Sequence, residues 1–217
     1  MAPRVLLFDL DGTLTDSRPG IVRCMRHALE RLEVACPPDA VLASHIGESL
    51  RTTFAALLPA PEPARVQRAI ALYRERFADR GLYENAVYPT IPEVLDRLAR
   101  EARLYVATQK FSSYAERIVD HFELRRYFNG VYGTDFDGRL DDKVAVIAAL
   151  LRGERVAPAE AVMIGDRALD VVAARGNGVR AIGALWGYGS RDELVEAGAD
   201  DLCETPAALA VCLTRLG

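Results

Sequence analysis

The chain has 217 residues, half of them apolar and 27% charged, with 27 Lys and Arg against 31 Asp and Glu for a net charge of −4. That length suits one domain with a large insertion or two modest domains, and it buries a core without disulfides or a structural metal. The composition excludes intrinsic disorder as the main state, and the slight acidity leaves no basic excess for gripping a nucleic-acid polymer by its phosphates.

Val5-Leu6-Leu7-Phe8 is a continuous apolar run, the pattern of a strand buried on both faces of a parallel sheet. Asp9 stops it, well short of the roughly 7–15 apolar residues of a signal peptide. No segment approaches the roughly 18 apolar residues of a membrane span, so the expectation is a cytoplasmic protein without a membrane partner. From Thr15 to Asn85 the pattern is helical. Ile21, Met25, Ala28, Leu29 and Leu32 share one helical face, and Val66, Ile70, Tyr73 and Phe77 share another. Gly81 is placed to stop the second helix, and Pro37-Pro38 and the prolines from Pro59 to Pro63 separate the helices. No strand pattern occurs in this stretch.

From about Tyr88 onward, short apolar runs return at Leu104–Ala107, Val131-Tyr132, Val162–Ile164 and Val179–Ile182. Between them stand three capping boxes, Thr90-x-x-Glu93, Ser113-x-x-Glu116 and Ser190-x-x-Glu193, whose side chains satisfy first-turn amides. Val144 to Leu151 reads as a buried helix, and Thr205-Pro206 opens a last one. Strands alternating with helices give a parallel sheet. The expected fold is α/β: a Rossmann-like parallel sheet core from residues 1–14 and 86–217, with a small all-helical cap, residues 15–85, inserted after the first strand.

The four cysteines form no CxxC pair and there are three histidines, so no zinc pattern appears and the thiols fit a reducing cytosol. Asp9-Leu10-Asp11-Gly12-Thr13 leaves the C-terminal end of the first strand, where open α/β sheets bind ligands, although a surface Asp-Gly turn also fits. Asp166 and Asp170 follow a second buried strand. If Asp166 begins a helix the two share a side, and like charges that close repel unless a cation intervenes. Oxygen ligands without His or Cys suit Mg²⁺; Asp166 alone also fits a helix N-cap. Lysine is rare: of 27 basic residues two are lysine, Lys110 and Lys143. A compact ammonium in place of a planar guanidinium suits a small phosphate or a buried aspartate.

Together these residues resemble the haloacid dehalogenase superfamily of phosphohydrolases, over nearly the whole chain and in the family's order. Asp9-x-Asp11-Gly12-Thr13 matches its first motif and Thr108 its second. Lys143 stands where the third-motif lysine is expected, and Gly165-Asp166-x-x-x-Asp170 matches the acidic fourth motif. The helical insertion is similar to the C1 cap of the phosphoglycolate phosphatase-like branch. Gln109, Val144 and Thr90 depart from the residues commonly seen at their places, and none of these removes a charge or a nucleophile. The resemblance implies Asp9 as nucleophile, forming an aspartyl-phosphate, and Asp11 as general acid and base. It implies Mg²⁺ on Asp9, the Asp11 backbone carbonyl and Asp166, with Asp170 supporting the metal or Lys143. Thr108, Gln109, Lys110 and Lys143 would bind the phosphorylated substrate, with Lys110 at the edge.

In the cap, Arg18, His45, Gly47 and Arg51 are candidates for substrate binding, against plain surface polarity. Asp135-x-Asp137-Gly138 imitates the first motif but is expected to be a solvated turn with no buried strand before it. Trp186-Gly187-Tyr188-Gly189 follows another strand end, where its glycines serve a tight loop. The expected activity is a Mg²⁺-dependent phosphatase acting on a small phosphorylated metabolite. Phosphoglycolate comes first as substrate, a nucleoside 5′-monophosphate next and a sugar phosphomutase reaction third. A non-enzymatic interaction protein would be free to lose Asp9 or Lys143, and both are kept.

Overall fold

The structure, a computed structural model, describes residues 4–135, 140 and 142–216. In chain order the strands and α-helices begin with β1 (Val5–Phe8), β2 (Thr15–Asp16), α1 (Arg18–Arg31), α2 (Asp39–Ser44), α3 (Leu50–Leu57), α4 (Pro63–Arg76) and β3 (Ala86–Val87). There follow α5 (Ile91–Leu98), β4 (Arg103–Phe111), α6 (Ser112–His121), β5 (Gly130–Thr134), α7 (Lys143–Gly153) and β6 (Ala161–Gly165). The chain ends with α8 (Ala168–Gly176), β7 (Arg180–Ala184), α9 (Arg191–Glu196), β8 (Asp201–Cys203) and α10 (Leu209–Arg215). It divides into two compact units, Met1–Asp16 with Val87–Gly217, and Ser17–Ala86.

The first unit is built on a six-stranded sheet of order β5-β4-β1-β6-β7-β8, and every ladder in it is parallel. β1 is central, pairing Val5 with Arg103 on one side and with Ala161 on the other. Helices cover both faces of such a sheet, which is why β1 and β6 are apolar at every position rather than alternating. Val5, Leu7, Met163 and Ala181 pack with Ile147 and Leu150 of α7 and Val171 and Ala174 of α8. Each valine, leucine, isoleucine or methionine side chain so buried contributes about 1.5–3 kcal/mol relative to exposure. β8, with three residues, was too short and too polar at its start for a periodicity signal.

The second unit is helical. Ile21, Met25, Ala28 and Leu29 of α1 are buried, as are Val66, Ile70, Tyr73 and Phe77. Gly81 does not end a helix by taking a left-handed conformation; it closes a π-helical turn, Phe77–Gly81. Its smallness serves packing instead. A Cβ on Gly81 would lie 2.5 Å from Cys24 Sγ, and one on Gly20 would lie 2.2 Å from the Gly81 carbonyl oxygen. Residues 15 and 16, expected in the helical cap, instead form β2 within the first unit, a strand of a separate two-stranded sheet with β3, too short to show alternation.

Two of the three expected capping boxes are absent. Thr90 precedes α5 with φ 68° and makes no side-chain cap, and α6 begins at Ser112 without one. Ser190 does cap α9, its Oγ accepting the Glu193 N–H at 3.1 Å. Thr205-Pro206 opens a 3₁₀ turn, after which α10 starts at Leu209. Among the described residues no helix is long and apolar enough to cross a membrane.

Candidate active site

β6 lies between β1 and β7, and the acidic residues gather where these strands end. Asp9 directly follows β1, its N–H donating to the Ile164 carbonyl of β6 at 2.9 Å. The chain then turns tightly, with the Leu14 and Thr15 N–H groups both on the Leu10 carbonyl at 3.0 Å. Gly12 turns at φ +85°, and a Cβ there would stand 2.2 Å from Asp166 Oδ2. Only glycine gives both the left-handed backbone and the room.

Asp166 follows β6 and is fully buried. It does not begin α8, whose N-cap is Arg167, so neither the helical pairing with Asp170 nor the N-cap alternative holds. Its Oδ1 accepts the Thr13 hydroxyl at 3.1 Å and its Oδ2 accepts the Tyr188 N–H at 2.8 Å. Asp170 sits in the first turn of α8, where its Oδ2 accepts the Arg167 N–H at 2.9 Å. A Cβ on Gly165 would lie 2.3 Å from Asp170 Cβ, so that glycine makes space for this carboxylate. Asp9, Asp166 and Asp170 each offer a carboxylate oxygen, and the three atoms lie within 4.8 Å of one another.

Both lysines of the chain land on the first motif. Lys143, the first residue of α7 and 5% exposed, lies 2.8 Å from Asp9 Oδ1 without hydrogen-bond alignment, and it donates to Asp170 Oδ1. Lys110 reaches Asp11, with Nζ 2.7 Å from Oδ2. The β4–β5 ladder shifts register between Ala107 and Phe111, an irregularity of the kind that re-aims side chains beside active sites. Thr108 is buried and its Oγ1 accepts the Lys110 N–H at 3.3 Å; the Gln109 carbonyl accepts the Thr134 hydroxyl at 3.0 Å.

Of the three buried carboxylates, Lys143 contacts Asp9 and Asp170, and the electrostatics show the imbalance. Burial pushes the Asp9 carboxyl up to about 6; Lys143 pulls it down and Asp170 adds to the rise. Burial likewise holds Asp166 well above the ordinary carboxylate range, helped by Asp170 and Asp9. Burial opposes the charge of Lys143, yet Asp170 and Asp9 outweigh it, and its pKa stands above the ordinary lysine value. Asp11 Oδ1 is buried with no hydrogen-bond partner among the described residues. This donor set fits a hard dication: oxygen atoms only, crowded, and with more negative charge than the lysine balances.

Arg18, His45, Gly47 and Arg51 all belong to the helical unit. Arg18 heads α1, Arg51 lies in α3, and His45 follows α2 with its Nδ1 2.8 Å from Glu48 Oε2. Gly47 turns at φ 100°. Asp135 does have a strand before it, since β5 leads straight into it and is buried at Gly133 and Thr134. Asp135 bonds across its loop to Leu140, while Asp137 and Gly138 lie outside the described residues. Two site neighbours were not read as such from the sequence, the Tyr188 N–H on Asp166 and the Trp186 indole, whose N–H donates to the Thr13 carbonyl at 2.9 Å. The one signal was an aromatic-glycine run just after a strand.

A sheet of this order with acidic residues gathered at the ends of β1 and β6 defines a hydrolase of the haloacid dehalogenase type. The family described as haloacid dehalogenase-like hydrolase matches residues 6–184, and the chain belongs to it. It is a phosphoric monoester hydrolase in the phosphoglycolate phosphatase-like branch of that family. A 5′-nucleotidase of Pseudomonas aeruginosa is 44% identical over 205 residues, 94% of this chain and 92% of that protein. Tyrosine-protein kinase PtkA of Mycobacterium tuberculosis is 39% identical over 193 residues, 88% of this chain and 65% of that protein. A phosphoglycolate phosphatase of Caulobacter vibrioides is 34% identical over 97% of this chain and 91% of its own. Among solved structures, a predicted phosphatase from Clostridium acetobutylicum superimposes with a TM-score of 0.92 at 33% identity, covering 99% of this chain and all of the other.

Proposed function

We propose that the protein is a Mg²⁺-dependent phosphatase that hydrolyses nucleoside 5′-monophosphates through an aspartyl-phosphate on Asp9. The observation that carries the chemistry is the buried array of Asp9, Asp166 and Asp170 against Lys143. Asp9, Asp166 and the Asp11 backbone carbonyl would hold the ion, with Asp170 supporting it or Lys143. When bound, the ion neutralises phosphoryl charge and lets an anionic ester approach a carboxylate.

The chain's own residues divide the remaining work. Asp9 is the nucleophile, because it sits at the strand end against Lys143, which keeps part of its charge compensated. Attack at phosphorus forms the Asp9 acyl-phosphate and expels the alcohol, whose oxygen takes a proton from Asp11; Asp11 then removes a proton from the water that cleaves the acyl-phosphate. Lys110, against Asp11 Oδ2, holds that carboxyl in place. Thr108 and Lys143 bind phosphoryl oxygens, Gln109 lines the approach, and Arg18, His45, Gly47 and Arg51 are the cap's candidates for the leaving group.

The choice of leaving group rests on similarity. Phosphoglycolate was the first expectation, but the relative named as a 5′-nucleotidase shares 44% of aligned residues against 34% for the phosphoglycolate phosphatase of Caulobacter vibrioides. That comparison supports a nucleotide. A phosphate-release screen with Mg²⁺ decides it. Nucleoside 5′-monophosphates should exceed phosphoglycolate in kcat/KM by at least about tenfold, a transition-state difference of about 1.4 kcal/mol. The reverse order returns phosphoglycolate to first place.

A further inference from the structure

We propose that Trp186 is a positioning residue that sets the Asp166 carboxylate for a divalent cation, an inference that rests on the metal-dependent reading above. β6 has β1 and β7 as neighbours, and the loops leaving both close on Asp166 from either side. The contact is backbone-close. A Cβ on Gly12 would meet Asp166 Oδ2 at 2.2 Å, while one on Gly187 would meet Asp166 Cβ at 2.3 Å and the Gly12 carbonyl oxygen at 2.4 Å.

Hydrogen bonds join these loops into a ring. Thr13 donates its hydroxyl to Asp166 Oδ1, the Tyr188 N–H donates to Oδ2, and the Trp186 indole N–H donates to the Thr13 carbonyl. Gly187 closes the ring covalently between Trp186 and Tyr188. The Tyr188 hydroxyl, on Asp16 Oδ1 at 3.0 Å, fastens the same loop to the exit of the nucleophile turn. Both oxygens of Asp166 are therefore anchored by donors that are themselves held.

Such anchoring has a physical purpose in this cluster. Three carboxylates whose oxygens lie within 4.8 Å repel one another; Lys143 pairs with Asp9 and Asp170, and a free Asp166 side chain would rotate away from them when no second cation sits among the three. A hydroxyl is a soft anchor because it rotates. The indole N–H only donates, and by pinning the Thr13 backbone it keeps the hydroxyl aimed at Asp166. Groups bonded directly to a metal ligand, as Thr13 is to Asp166, commonly govern metal affinity about 10–100-fold, and Trp186 acts through Thr13 at the lower end of that range.

The test uses the full chain and Mg²⁺ alone. Trp186→Phe keeps an aromatic body and removes the donor. By calorimetry its Mg²⁺ affinity should fall about tenfold. In kinetics the loss should appear in the Mg²⁺ half-saturation and recede at high Mg²⁺, with KM for the phosphoester little moved. Equal Mg²⁺ affinity in the variant and the wild type overturns the proposal, as does a kcat loss that Mg²⁺ does not relieve. A second measurement needs no variant at position 186. Trp186 is the chain's one tryptophan, so its emission reports on this ring directly. Emission should change saturably with Mg²⁺, at the calorimetric affinity, and the change should vanish in Asp166→Asn. A flat emission across a calorimetric transition overturns the positioning role, whereas no Mg²⁺ binding by the wild type overturns the metal-dependent reading beneath it.

Discussion

At the scale of single residues, the use of lysine carries the most information. A chain that otherwise supplies arginine places its two ammonium groups against Asp9 and Asp11. Lys143 contacts both Asp9 and Asp170 from a buried position, where a longer, planar guanidinium would displace one of them. Misplacement by about 1 Å costs roughly a hundredfold in rate, and Lys143→Arg should lose at least that much in steady-state phosphate release. Full activity would show that the pocket takes a fork as well as a point charge. Asp9→Asn should abolish phosphate release while leaving the circular dichroism spectrum unchanged, since it removes the nucleophile and keeps the shape. Asp11→Asn should cost more on an alkyl phosphate than on an aryl phosphate, because the better leaving group needs no proton; equal losses would remove Asp11 from the proton transfer.

At the scale of elements, glycine does its work by smallness at crossings as well as by conformation at turns. Gly12 needs both, and Gly20 needs only room. Replacing Gly20 by alanine sets a Cβ against the Gly81 carbonyl oxygen, a backbone atom that can move only with its turn. Overpacking of this kind costs about 1–3 kcal/mol. At roughly 2–4 °C per kcal/mol for a chain of this size, Gly20→Ala should lower Tm by several degrees in a thermal melt. An unchanged Tm would mean that the π turn yields freely. The caps teach a related lesson. Ser190 holds its first turn, whereas Thr90 and Ser113 carry the same sequence signature and do not. A capping box specifies a helix start only where the chain before it is free to take an extended conformation, and Thr90 is left-handed.

At the scale of the whole molecule, the acidic array trades stability for function. Asp9 and Asp166 hold their protons more tightly in the fold than in the unfolded chain, with Asp9 at about 6. A raised pKa contributes stability in full below the unfolded value near 4 and loses it as pH rises through about 6. In the presence of EDTA, the melting temperature should therefore decline between pH 5 and pH 7 from this source, by the equivalent of about 1.4 kcal/mol for Asp9, the last pH unit of a loss that begins near pH 4. Added Mg²⁺ should raise Tm more at pH 7.5 than at pH 5, because the ion binds the ionised carboxylates. A melting temperature that climbs over this range in EDTA, with no extra gain from Mg²⁺ at the higher pH, would show that Lys143 already balances the cluster.

What the sequence determined by itself was whatever depends on neighbours along the chain. Continuous apolar runs marked β1 and β6 as doubly covered strands, the helical insertion followed from periodicity, and the aspartates stood out because paired acids follow two such strands. The tertiary structure decided what depends on strands meeting side by side. β8 entered the sheet as an edge strand whose three residues carry too few positions for a pattern. Lys110 reached Asp11, 99 residues away in the chain, beside a register shift between β4 and β5 that no local propensity encodes. Asp166 took its partners from the loops after β1 and β7, 153 and 22 residues away in the chain. Those contacts exist because the parallel order places β6 between β1 and β7, and strand order is a property of the packed sheet rather than of any segment within it.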